Sequence, residues 1–375
     1  MSLLEVTDLT VSFSTADGMV RAVRGVSFAV DAGQTLGIVG ESGSGKTVLT
    51  QTLLGLTPGA NVSGQAVFDG ADLLQLSEDQ MRRIRGARIA VIFQDPLTSL
   101  HPLYRVGWQI AEIIRAHEKS VSKKEAAERS VDLLRKVGIP RPEQRVTDYP
   151  HQFSGGMRQR VMIAMALALS PQMIIADEPT TALDATVQAQ ILDLLLHLQM
   201  ESNTALIMIT HDLGVVADIA DDVMVMYAGR AAEKAPKREI FYSPHHPYTK
   251  GLLESIPSSS AAVDRLRPIP GSPPSLINLP SGCKFHPRCG YVLDRCLTEE
   301  PGLRPVTLDG YHSSACWLPV QAVGLSDDAE ELRAKTVQEG RGEAAAEVFE
   351  AEVAGVIEPD GTVAGVAQPD GSVTG

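Results

Sequence analysis

The stretch GESGSGKT, residues 40–47, constrains the fold of this chain more than any other segment. It follows the apolar run QTLGIVG and precedes KTVLTQTLLGL, which has helical character, so it predicts a strand–loop–helix unit. In such a P-loop, backbone N–H groups wrap the phosphates of a nucleotide, the lysine reaches the β- and γ-phosphates, and the threonine holds Mg²⁺. The alternative is a glycine turn with a surface lysine. The predicted nucleotide-binding residues are Gly40, Glu41, Ser42, Gly43, Ser44, Gly45, Lys46 and Thr47.

Three further apolar runs each end at a polar element. RIAVIF precedes Gln94, MIIA precedes Asp177 and Glu178, and ALIMIT precedes His211. Near-continuous apolar runs are typical of parallel strands covered on both faces, and ligands of such sheets bind beyond the carboxyl ends of the strands. The sequence therefore predicts an α/β fold in which these polar side chains and the P-loop meet at one crevice.

The two carboxylates in this set have different predicted roles. Asp177 can support the metal ion through water, and Glu178 is placed to polarise an attacking water molecule. An Asp-Glu pair at a strand end can also be no more than a solvated corner. For His211 the corresponding alternative is a polar cap of its strand.

A second stretch, FSGGMRQR at residues 153–160, also has the character of a phosphate cradle. A serine and two glycines open an apolar helical run that we predict to start near Met157. Helix N-termini present free N–H groups and the positive end of the helix dipole, which favours anions. The chain therefore contains two candidate phosphate sites.

The motifs together resemble the nucleotide-binding subunit of ABC transporters. GESGSGKT is similar to the Walker A loop, MIIADE to Walker B, Gln94 to the Q-loop glutamine, and FSGGM to the signature usually written LSGGQ. Ala182-Leu183-Asp184 resembles the D-loop and His211 the switch histidine. Phe153 and Met157 depart from the signature, and the second change puts in doubt any polar contact at that position.

The resemblance implies how the two cradles work. In the family, two such domains meet head to tail around two ATP molecules, so Ser154, Gly155, Gly156 and Asp184 would contact a partner's nucleotide. It also implies that Gln94 senses Mg²⁺ and water, that Thr47 holds Mg²⁺, and that His211 contacts the γ-phosphate. Phe13 aligns with the aromatic residue that stacks on adenine, although a core phenylalanine is the alternative.

The expected fold class is a P-loop ABC ATPase core, a mostly parallel sheet flanked by helices, with an antiparallel β subdomain and a helical subdomain. Residues 3–31 and 61–70 alternate as antiparallel strands do, and residues 105–150 are helical and charged. We predict an ATPase domain at 1–230 with a helical subdomain at about 96–160, a cysteine-bearing extension at 231–320, and a tail at 321–375. Leu97, Leu103, Tyr104 and Trp108 either line a groove for a membrane subunit or pack within the helical subdomain.

The formal net charge of −13 is concentrated in the tail, where twelve acidic residues face three basic ones. The tail contains the repeat AGVIEPDGTV–AGVAQPDGSV and is read as a solvated low-complexity segment, or alternatively as a small hairpin. No apolar run reaches the length of a membrane span, and the N-terminus lacks signal-peptide character, so we expect the chain in the cytoplasm.

The extension resembles that of the oligopeptide/dipeptide importer ATPases, in SPHHPYTKGLLESIP and the proline-rich RPIPGSPPSLINLPSGCKFHPRC. IFQDPLTSLHP and FSGGMRQRVMIAMAL resemble the D-type subunit of these systems. The resemblance implies an F-type ATPase partner, two transmembrane permeases, an extracytoplasmic substrate-binding protein, and a peripheral position on the cytoplasmic face of the membrane. Nickel importers share much of the pattern, so nickel or another small cargo is an alternative.

The only four cysteines lie within 34 residues with the spacing C-x5-C-x6-C-x19-C: Cys283, Cys289, Cys296 and Cys316. Clustering favours a metal site over scattered core thiols, and a reducing cytoplasm disfavours disulfides. Structural zinc usually uses closer pairs, whereas a [4Fe–4S] cluster tolerates looser spacing. D-type subunits carry a comparable motif, which favours the cluster, with zinc as the alternative. We expect His286 and His312 to lie around the site or at the surface.

Other function classes predict different features. An ABC-type ATPase acting on nucleic acid or ribosomes would favour two cassettes, coiled-coil insertions or basic arms, whereas this chain has one P-loop and an acidic tail. We therefore expect no nucleic-acid partner. A non-catalytic binding module is disfavoured because Glu178, the expected base, is present. The leading prediction is an ATP-hydrolysing subunit that energises a peptide importer.

Overall fold

The structure is a computed structural model that describes residues 2–181, 183–255, 268–307 and 310–319. Its main element is an eight-stranded sheet with the strand order β11-β12-β10-β9-β3-β8-β7-β6. The strands of this sheet are β3 (Thr35–Val39), β6 (Ile89–Ile92), β7 (Met173–Asp177), β8 (Ala205–Thr210), β9 (Asp222–Tyr227), β10 (Arg230–Pro236), β11 (Arg304–Pro305) and β12 (Ser313–Ser314).

The central strands of this sheet are parallel, as the apolar runs predict. β3 pairs in parallel with β8 and β9, and β7 pairs in parallel with β8 and β6. Every residue of β3, β7 and β8 is buried. Their carboxyl ends lie at the same edge of the sheet, and that edge receives the P-loop and the acidic pair at the end of β7.

A second, antiparallel sheet has the order β2-β1-β4-β5. Its strands are β1 (Leu4–Thr15), β2 (Gly18–Val30), β4 (Asn61–Phe68) and β5 (Ala71–Asp72). Leu49 and Leu53, on the helix that follows the P-loop, join one buried apolar cluster with residues of both sheets, such as Phe28 and Ile207. The P-loop helix is therefore fixed from two sides.

Between β6 and β7 in the chain, several helices form a compact group, and the remaining helices flank the sheets. They are α1 (Lys46–Leu53), α2 (Glu78–Ile84), α3 (Pro96–Ser99), α4 (Val106–His117), α5 (Lys123–Lys136), α6 (Pro142–Arg145), α7 (Gly155–Ala166), α8 (Ala185–Ser202), α9 (Leu213–Ile219), α10 (Lys237–Tyr242), α11 (Pro247–Glu254) and α12 (Asp294–Thr298). Within the described part of the chain, none of them is long and apolar enough to span a bilayer.

The start of α7 differs from the sequence prediction. The helix begins at Gly155, two residues before the predicted Met157. Ser154 is its N-cap, and the Ser154 hydroxyl accepts a hydrogen bond from the N–H of Met157 at 3.4 Å. A serine cap can satisfy one of the free N–H groups of the first turn, so the two glycines form that turn.

The extension contributes strands to the main sheet. β10 crosses residue 230, the predicted domain boundary, and pairs with β12, which pairs with β11. The proposed division into 1–230 and 231–320 stays a prediction. The expected low-complexity tail at 321–375 and its repeat lie outside the described residues.

Candidate functional site

The P-loop connects β3 to α1 and depends on two glycines. Gly40 has a φ of 151° and Gly45 a φ of 102°. A Cβ atom on Gly40 would collide with the carbonyl oxygen of Met226, and one on Gly45 with that of Ala22. Only glycine fits both the space and the positive φ, so the loop keeps its backbone bare where a phosphate would approach.

Lys46 is buried in this loop and is held by its carbonyl oxygens. The Nζ atom donates to the carbonyl oxygens of Gly40 at 2.7 Å and Glu41 at 3.0 Å. Burial lowers the pKa of Lys46, and the negative charges of Glu178, Asp177 and Glu41 oppose that shift. A phosphate oxygen would offer this ammonium group a charged partner in place of neutral carbonyls.

Asp177 and Thr47 form the candidate magnesium site. The Thr47 hydroxyl donates to Oδ1 of Asp177 at 3.2 Å, and Asp177 is only 8% exposed. Burial raises the pKa of Asp177, while the Thr47 hydrogen bond lowers it. A hydroxyl and a carboxylate at the mouth of a P-loop are oxygen donors of the kind that Mg²⁺ prefers, and the cation would offset the cost of the buried charge.

Glu178 stands at the centre of the predicted catalytic group. Gln94 Nε2 donates to Oε2 of Glu178 at 3.0 Å, and Thr181 Oγ1 donates to the same oxygen at 2.9 Å. His211 Nδ1 lies 3.3 Å from Oε1. The structure thus brings together Gln94, Glu178 and His211 from the ends of three strands, in a group that could hold and polarise one water molecule.

The backbone at Glu178 is strained. Its φ of 47° lies in the left-handed region that non-glycine residues rarely occupy, and its N–H donates to the carbonyl of Ile209 at 2.9 Å. Strain of this kind is concentrated at functional sites, where the surrounding structure maintains it. Here it occurs at the residue whose carboxylate contacts Gln94 and His211.

The second cradle faces solvent. Ser154 and Gly155 are exposed, Gly156 is half-buried, and Asp184 is an exposed N-cap of α8 that accepts the N–H of Val187 at 2.9 Å. Among the described residues, no hydrogen bond joins Ser154 to the P-loop of the same chain. The cradle is therefore open to another molecule.

Other motif residues serve packing. Phe153 is 2% exposed, and it joins the helical core that Met157 packs against. The two departures from the usual signature therefore fill apolar space. Phe13, on β1, is half-buried and packs against the core of the antiparallel sheet, so its predicted adenine stacking stays a prediction. Ala182 of the predicted D-loop lies outside the described residues.

Two residues that the sequence reasoning missed contact the P-loop from the extension. Both guanidinium Nη atoms of Arg288 donate to the Glu41 carboxylate, and the Tyr248 hydroxyl accepts from the Glu41 N–H. Tyr248 belongs to the HHPYT segment and Arg288 to HPRC. The only available signal was that both segments contain histidine followed by proline.

The four cysteines line one pocket in the extension, together with apolar groups that include Phe285 and Trp317. The Tyr291 N–H donates to Sγ of Cys289 at 3.3 Å, and the backbone N–H groups of Phe285 and Leu318 act to lower the pKa of Cys283 and Cys316. Burial raises the pKa of all three of these thiols, to about 11 for Cys316. N–H groups directed at sulfur stabilise bound thiolates, so the donors fit a thiolate-ligated metal group.

His312 differs from the expectation of a residue around the cysteine site or at the surface. It is 1% exposed, and its Nε2 lies 2.7 Å from Oε1 of the fully buried Glu233 and 3.2 Å from Nδ1 of His245. Glu233 also accepts the backbone N–H groups of His245 and His246. A buried carboxylate needs such donors, so this group ties β10, the start of α11 and β12 together. His286 lines the cysteine pocket, as expected.

Comparison with known proteins agrees with this geometry. The family model described as ABC transporter matches residues 23–181, and the oligopeptide/dipeptide transporter C-terminal region matches residues 232–296. The oligopeptide transport ATP-binding protein OppD of Bacillus subtilis is 50% identical, over 94% of this chain and 97% of the relative. OppD of Escherichia coli is 51% identical over 85% and 94%. The dipeptide transport ATP-binding protein DppD of Lactococcus lactis is 51% identical over 84% and 90%.

Solved structures give the same result. A dimeric ATP-binding cassette in a post-hydrolysis state, bound to ADP and phosphate, aligns with a TM-score of 0.57 and 26% identity. The match covers 63% of this chain and 99% of that cassette. The chain belongs to the ABC transporter family, as an ATP-hydrolysing subunit that carries the C-terminal region of the oligopeptide/dipeptide transporters.

Proposed function

We propose that this chain hydrolyses ATP to drive an importer of peptides of the oligopeptide/dipeptide class. The observation that carries the proposal is the combination, in one chain, of a nucleotide site with a C-terminal region of the peptide-transporter type. The printed names of the most similar relatives refer to oligopeptide and dipeptide transport. An ATPase subunit supplies energy and does not touch the cargo, so the cargo class depends on its partners.

In the hydrolysis step, we assign the base to Glu178. With Mg²⁺ held at Thr47, Asp177 and Gln94, the metal would neutralise the developing phosphate charge. Gln94 and Thr181 orient one carboxylate oxygen of Glu178, so the other can take a proton from the attacking water. His211, which is largely exposed, can reach the γ-phosphate. Lys46 binds the β- and γ-phosphates, and the glycines at 40, 43 and 45 leave room for them.

The exposed second cradle supports a head-to-tail dimer. Ser154, Gly155 and Gly156 would bind the γ-phosphate of a nucleotide held by a partner's P-loop, and Asp184 would lie at the same interface. About three charge-assisted hydrogen bonds could supply ~4–9 kcal/mol. Changing an open–closed equilibrium from 1:99 to 99:1 needs about 5.5 kcal/mol. ATP can therefore close the dimer, and loss of the γ-phosphate can reopen it.

The remaining partners follow from the same assignment. We place an F-type ATPase as the second subunit, two permeases in the membrane, and an extracytoplasmic substrate-binding protein outside, with this chain peripheral on the cytoplasmic face. Leu97, Leu103, Tyr104 and Trp108 are 63, 77, 45 and 48% exposed, and Tyr104 stacks on Trp108 with ring centroids 4.2 Å apart. An exposed apolar group beside the Q-loop suits contact with a permease better than packing inside the helical subdomain.

For the cysteine site we propose a [4Fe–4S] cluster on Cys283, Cys289, Cys296 and Cys316. Among the described residues, which include all four cysteines, the only set of three possible ligand atoms within 4.8 Å of one another is Glu233, His245 and His312. A tetrahedral zinc with bonds of ~2.3 Å would need thiols about 3.8 Å apart. No three of the four cysteine sulfurs lie that close together, which favours a metal group larger than a single zinc ion. It would act structurally, by joining the segments of the extension.

The cluster has a direct test. Anaerobically purified protein should be brown, absorb broadly near ~400 nm and contain about four irons per chain. Replacing Cys296 with serine should remove colour and iron together, whereas Ser281→Ala, two residues before Cys283, should retain both. Colourless protein with one tightly bound zinc would show that the four cysteines bind zinc and not the cluster.

The transport assignment is tested in membranes. Affinity purification of the chain should recover two permeases and a second ATPase, and vesicles of the purified complex should take up labelled oligopeptides only with ATP. Substituting Glu178 with glutamine in the same complex should stop uptake. Uptake of nickel in place of peptides would show that the cargo is nickel. Recovery of ribosomal proteins or DNA would overturn the transport function.

A further inference from the structure

Glu41, the second residue of the P-loop, is held by the extension at two points. Arg288 forms a bidentate ion pair with it, Nη1 to Oε2 at 2.6 Å and Nη2 to Oε1 at 2.9 Å. The Tyr248 hydroxyl accepts the Glu41 backbone N–H at 2.8 Å. Bidentate pairs between arginine and a carboxylate are strong and fix geometry. The extension therefore restrains both the side chain and the backbone of this residue.

Arg288 is itself rigidly placed. Its side chain is 4% exposed, and Nε donates to the carbonyl of Pro270 at 2.8 Å. The guanidinium group lies over the rings of Tyr227 and Phe285, at 5.9 and 6.0 Å from their centroids. A desolvated and fully partnered guanidinium cannot leave its carboxylate without leaving a buried charge unpaired. This pair is a fixed joint, unlike a surface ion pair.

Tyr248 is held by the same group of rings. Its side chain is fully buried, and its ring centroid lies 4.6 Å from that of Tyr227 and 5.4 Å from that of Phe285. The hydroxyl is the one polar end of a side chain packed in apolar surroundings, and it is directed at the P-loop. Its position is therefore set by packing of the extension.

The third contact of Glu41 reaches the nucleotide site. Its carbonyl oxygen accepts a hydrogen bond from Lys46 Nζ. The N–H, the carboxylate and the carbonyl of one residue thus connect Tyr248, Arg288 and the phosphate-binding lysine. Displacement of Glu41 would change the loop that wraps the phosphates.

Arg288 is also the chain neighbour of the cysteine site. It directly precedes Cys289, in the short turn that starts after Cys283 and contains Phe285. The Arg288 N–H donates to the carbonyl of Phe285 at 2.9 Å. A group bound to Cys283 and Cys289 would close this turn at both ends and so fix the base of the Arg288 side chain.

From these contacts we propose that Arg288 and Tyr248 are positioning residues for nucleotide binding, and that occupancy of the four-cysteine site is transmitted to the P-loop through Arg288. This inference rests on the proposed ATP and cysteine sites. It assigns to the extension a role in setting ATP affinity. Loss of the bound metal group would free the backbone on both sides of Arg288, so that the Arg288–Glu41 pair could shift as a unit and weaken ATP binding.

The test measures the affinity of the full chain for a fluorescent ATP analogue, with the cysteine site loaded and after iron chelation. Arg288→Gln and Glu41→Gln should each weaken binding about tenfold, and the double variant should be no weaker than either single one. In the assembled complex the KM for ATP should rise while kcat at saturating ATP changes less than about twofold. Arg288→Lys, which keeps the charge without the bidentate geometry, should recover part of the affinity.

A matched control separates this effect from general loss of stability. Arg129 forms a bidentate pair with Glu118 on the helical subdomain, at 2.6 and 3.0 Å. Arg129→Gln should lower the melting temperature and leave ATP affinity unchanged. If Arg288→Gln does not fold, Glu41→Gln tests the same pair from the P-loop side.

The second part of the test asks whether the state of the cysteine site reaches the P-loop through Arg288. Chelation should weaken ATP binding in the wild-type chain about tenfold and have little further effect in Arg288→Gln. An equal effect of chelation in both proteins would show that Arg288 does not transmit the state of the cysteine site to the P-loop. Wild-type affinity for ATP in Arg288→Gln would show that Arg288 is not a positioning residue. Lys46→Ala identifies failure of the proposed ATP site: if it too binds normally, the site is wrong, whereas loss of binding there alone refutes only the role of Arg288.

Discussion

The P-loop and the FSGGM segment are both built to bind phosphate, but they lie in opposite surroundings. The P-loop is enclosed: Lys46 is 6% exposed, Glu41 is held by the extension, and the flanking helix is packed between two sheets. In the FSGGM segment, Ser154 and Gly155 are exposed, and only the residues beneath them are buried. One cradle is fixed by its own chain, and the other is presented outward.

The difference fits a site shared between two molecules. A nucleotide needs a rigid pocket that binds it in every state, because each unrestrained group adds an ordering cost on binding. A contact that must form and break in each cycle is better placed on a rigid but exposed helix start, where the donors are ready and the partner is absent until closure. Each of the following substitutions tests one side of this comparison.

The largest effect is expected at the base. Glu178→Gln keeps the size and the hydrogen bonds of the side chain but cannot accept a proton at the reacting oxygen. Hydrolysis at this site should fall ~10²–10⁴-fold while ATP stays bound and holds the dimer closed. ATPase assays and native mass spectrometry would measure both. Glu143→Gln, on the exposed α6, should change neither, and wild-type turnover in Glu178→Gln would contradict the role of Glu178.

Lys46→Ala attacks the enclosed cradle itself. It removes the charge that binds the β- and γ-phosphates, so ATP affinity should fall by roughly 10²-fold, corresponding to about 3 kcal/mol. Equilibrium titration with a labelled nucleotide measures this. Lys124→Ala, which removes an exposed lysine from α5, should bind ATP normally; similar losses in both variants would show that the effect is not local.

Ser154→Arg tests the exposed cradle. In a complex where this chain also carries Glu178→Gln, the remaining single-turnover hydrolysis, which does not require the dimer to reopen, belongs to the site built on the partner's P-loop. Adding Ser154→Arg should reduce that remaining activity about tenfold or more, because the arginine occupies the space of the γ-phosphate, while this chain's own ATP affinity stays unchanged.

The matched control for this substitution is Ser122→Arg, at the N-cap of α5, whose hydroxyl accepts the N–H of Glu125. It should lose a similar cap without affecting the partner's site. A drop in this chain's own affinity in Ser154→Arg would count against the shared geometry.

The smallest expected effect is the difference in the free energy of unfolding between alanine substitutions at the two glycines of the exposed cradle. A Cβ on Gly156 would lie 2.5 Å from Cγ1 of Val187, whereas one on Gly155 would meet only Leu183 at 3.8 Å. Gly156→Ala should therefore lower the free energy of unfolding by about 1–3 kcal/mol, and Gly155→Ala should change it by less than about 1 kcal/mol. Chemical denaturation measures both. Equal stabilities would mean that α7 and α8 can separate freely at this point.

Much of the nucleotide site could be predicted because the sequence orders it locally. Gln94, Asp177, Glu178 and His211 each follow an apolar strand, and the carboxyl ends of parallel strands share one edge. The left-handed φ of Glu178 could not be predicted in this way. A glutamate after a strand has no local preference for that conformation, and the bond from its N–H to Ile209 on β8 holds it there.

The sequence by itself determined the P-loop, the parallel strands, the acidic pair, the existence of the signature helix and the clustering of the four cysteines, because each depends on short-range periodicity, glycine or spacing. Only the tertiary structure decided that Arg288 and Tyr248 hold Glu41 and that Glu233 accepts from His312. These partners are 247, 207 and 79 residues apart in the chain. No local preference links such residues. The extension adds β10, β12 and β11 to the main sheet beside β9, and in this arrangement Arg288 and Tyr248 reach the P-loop and His312 reaches Glu233.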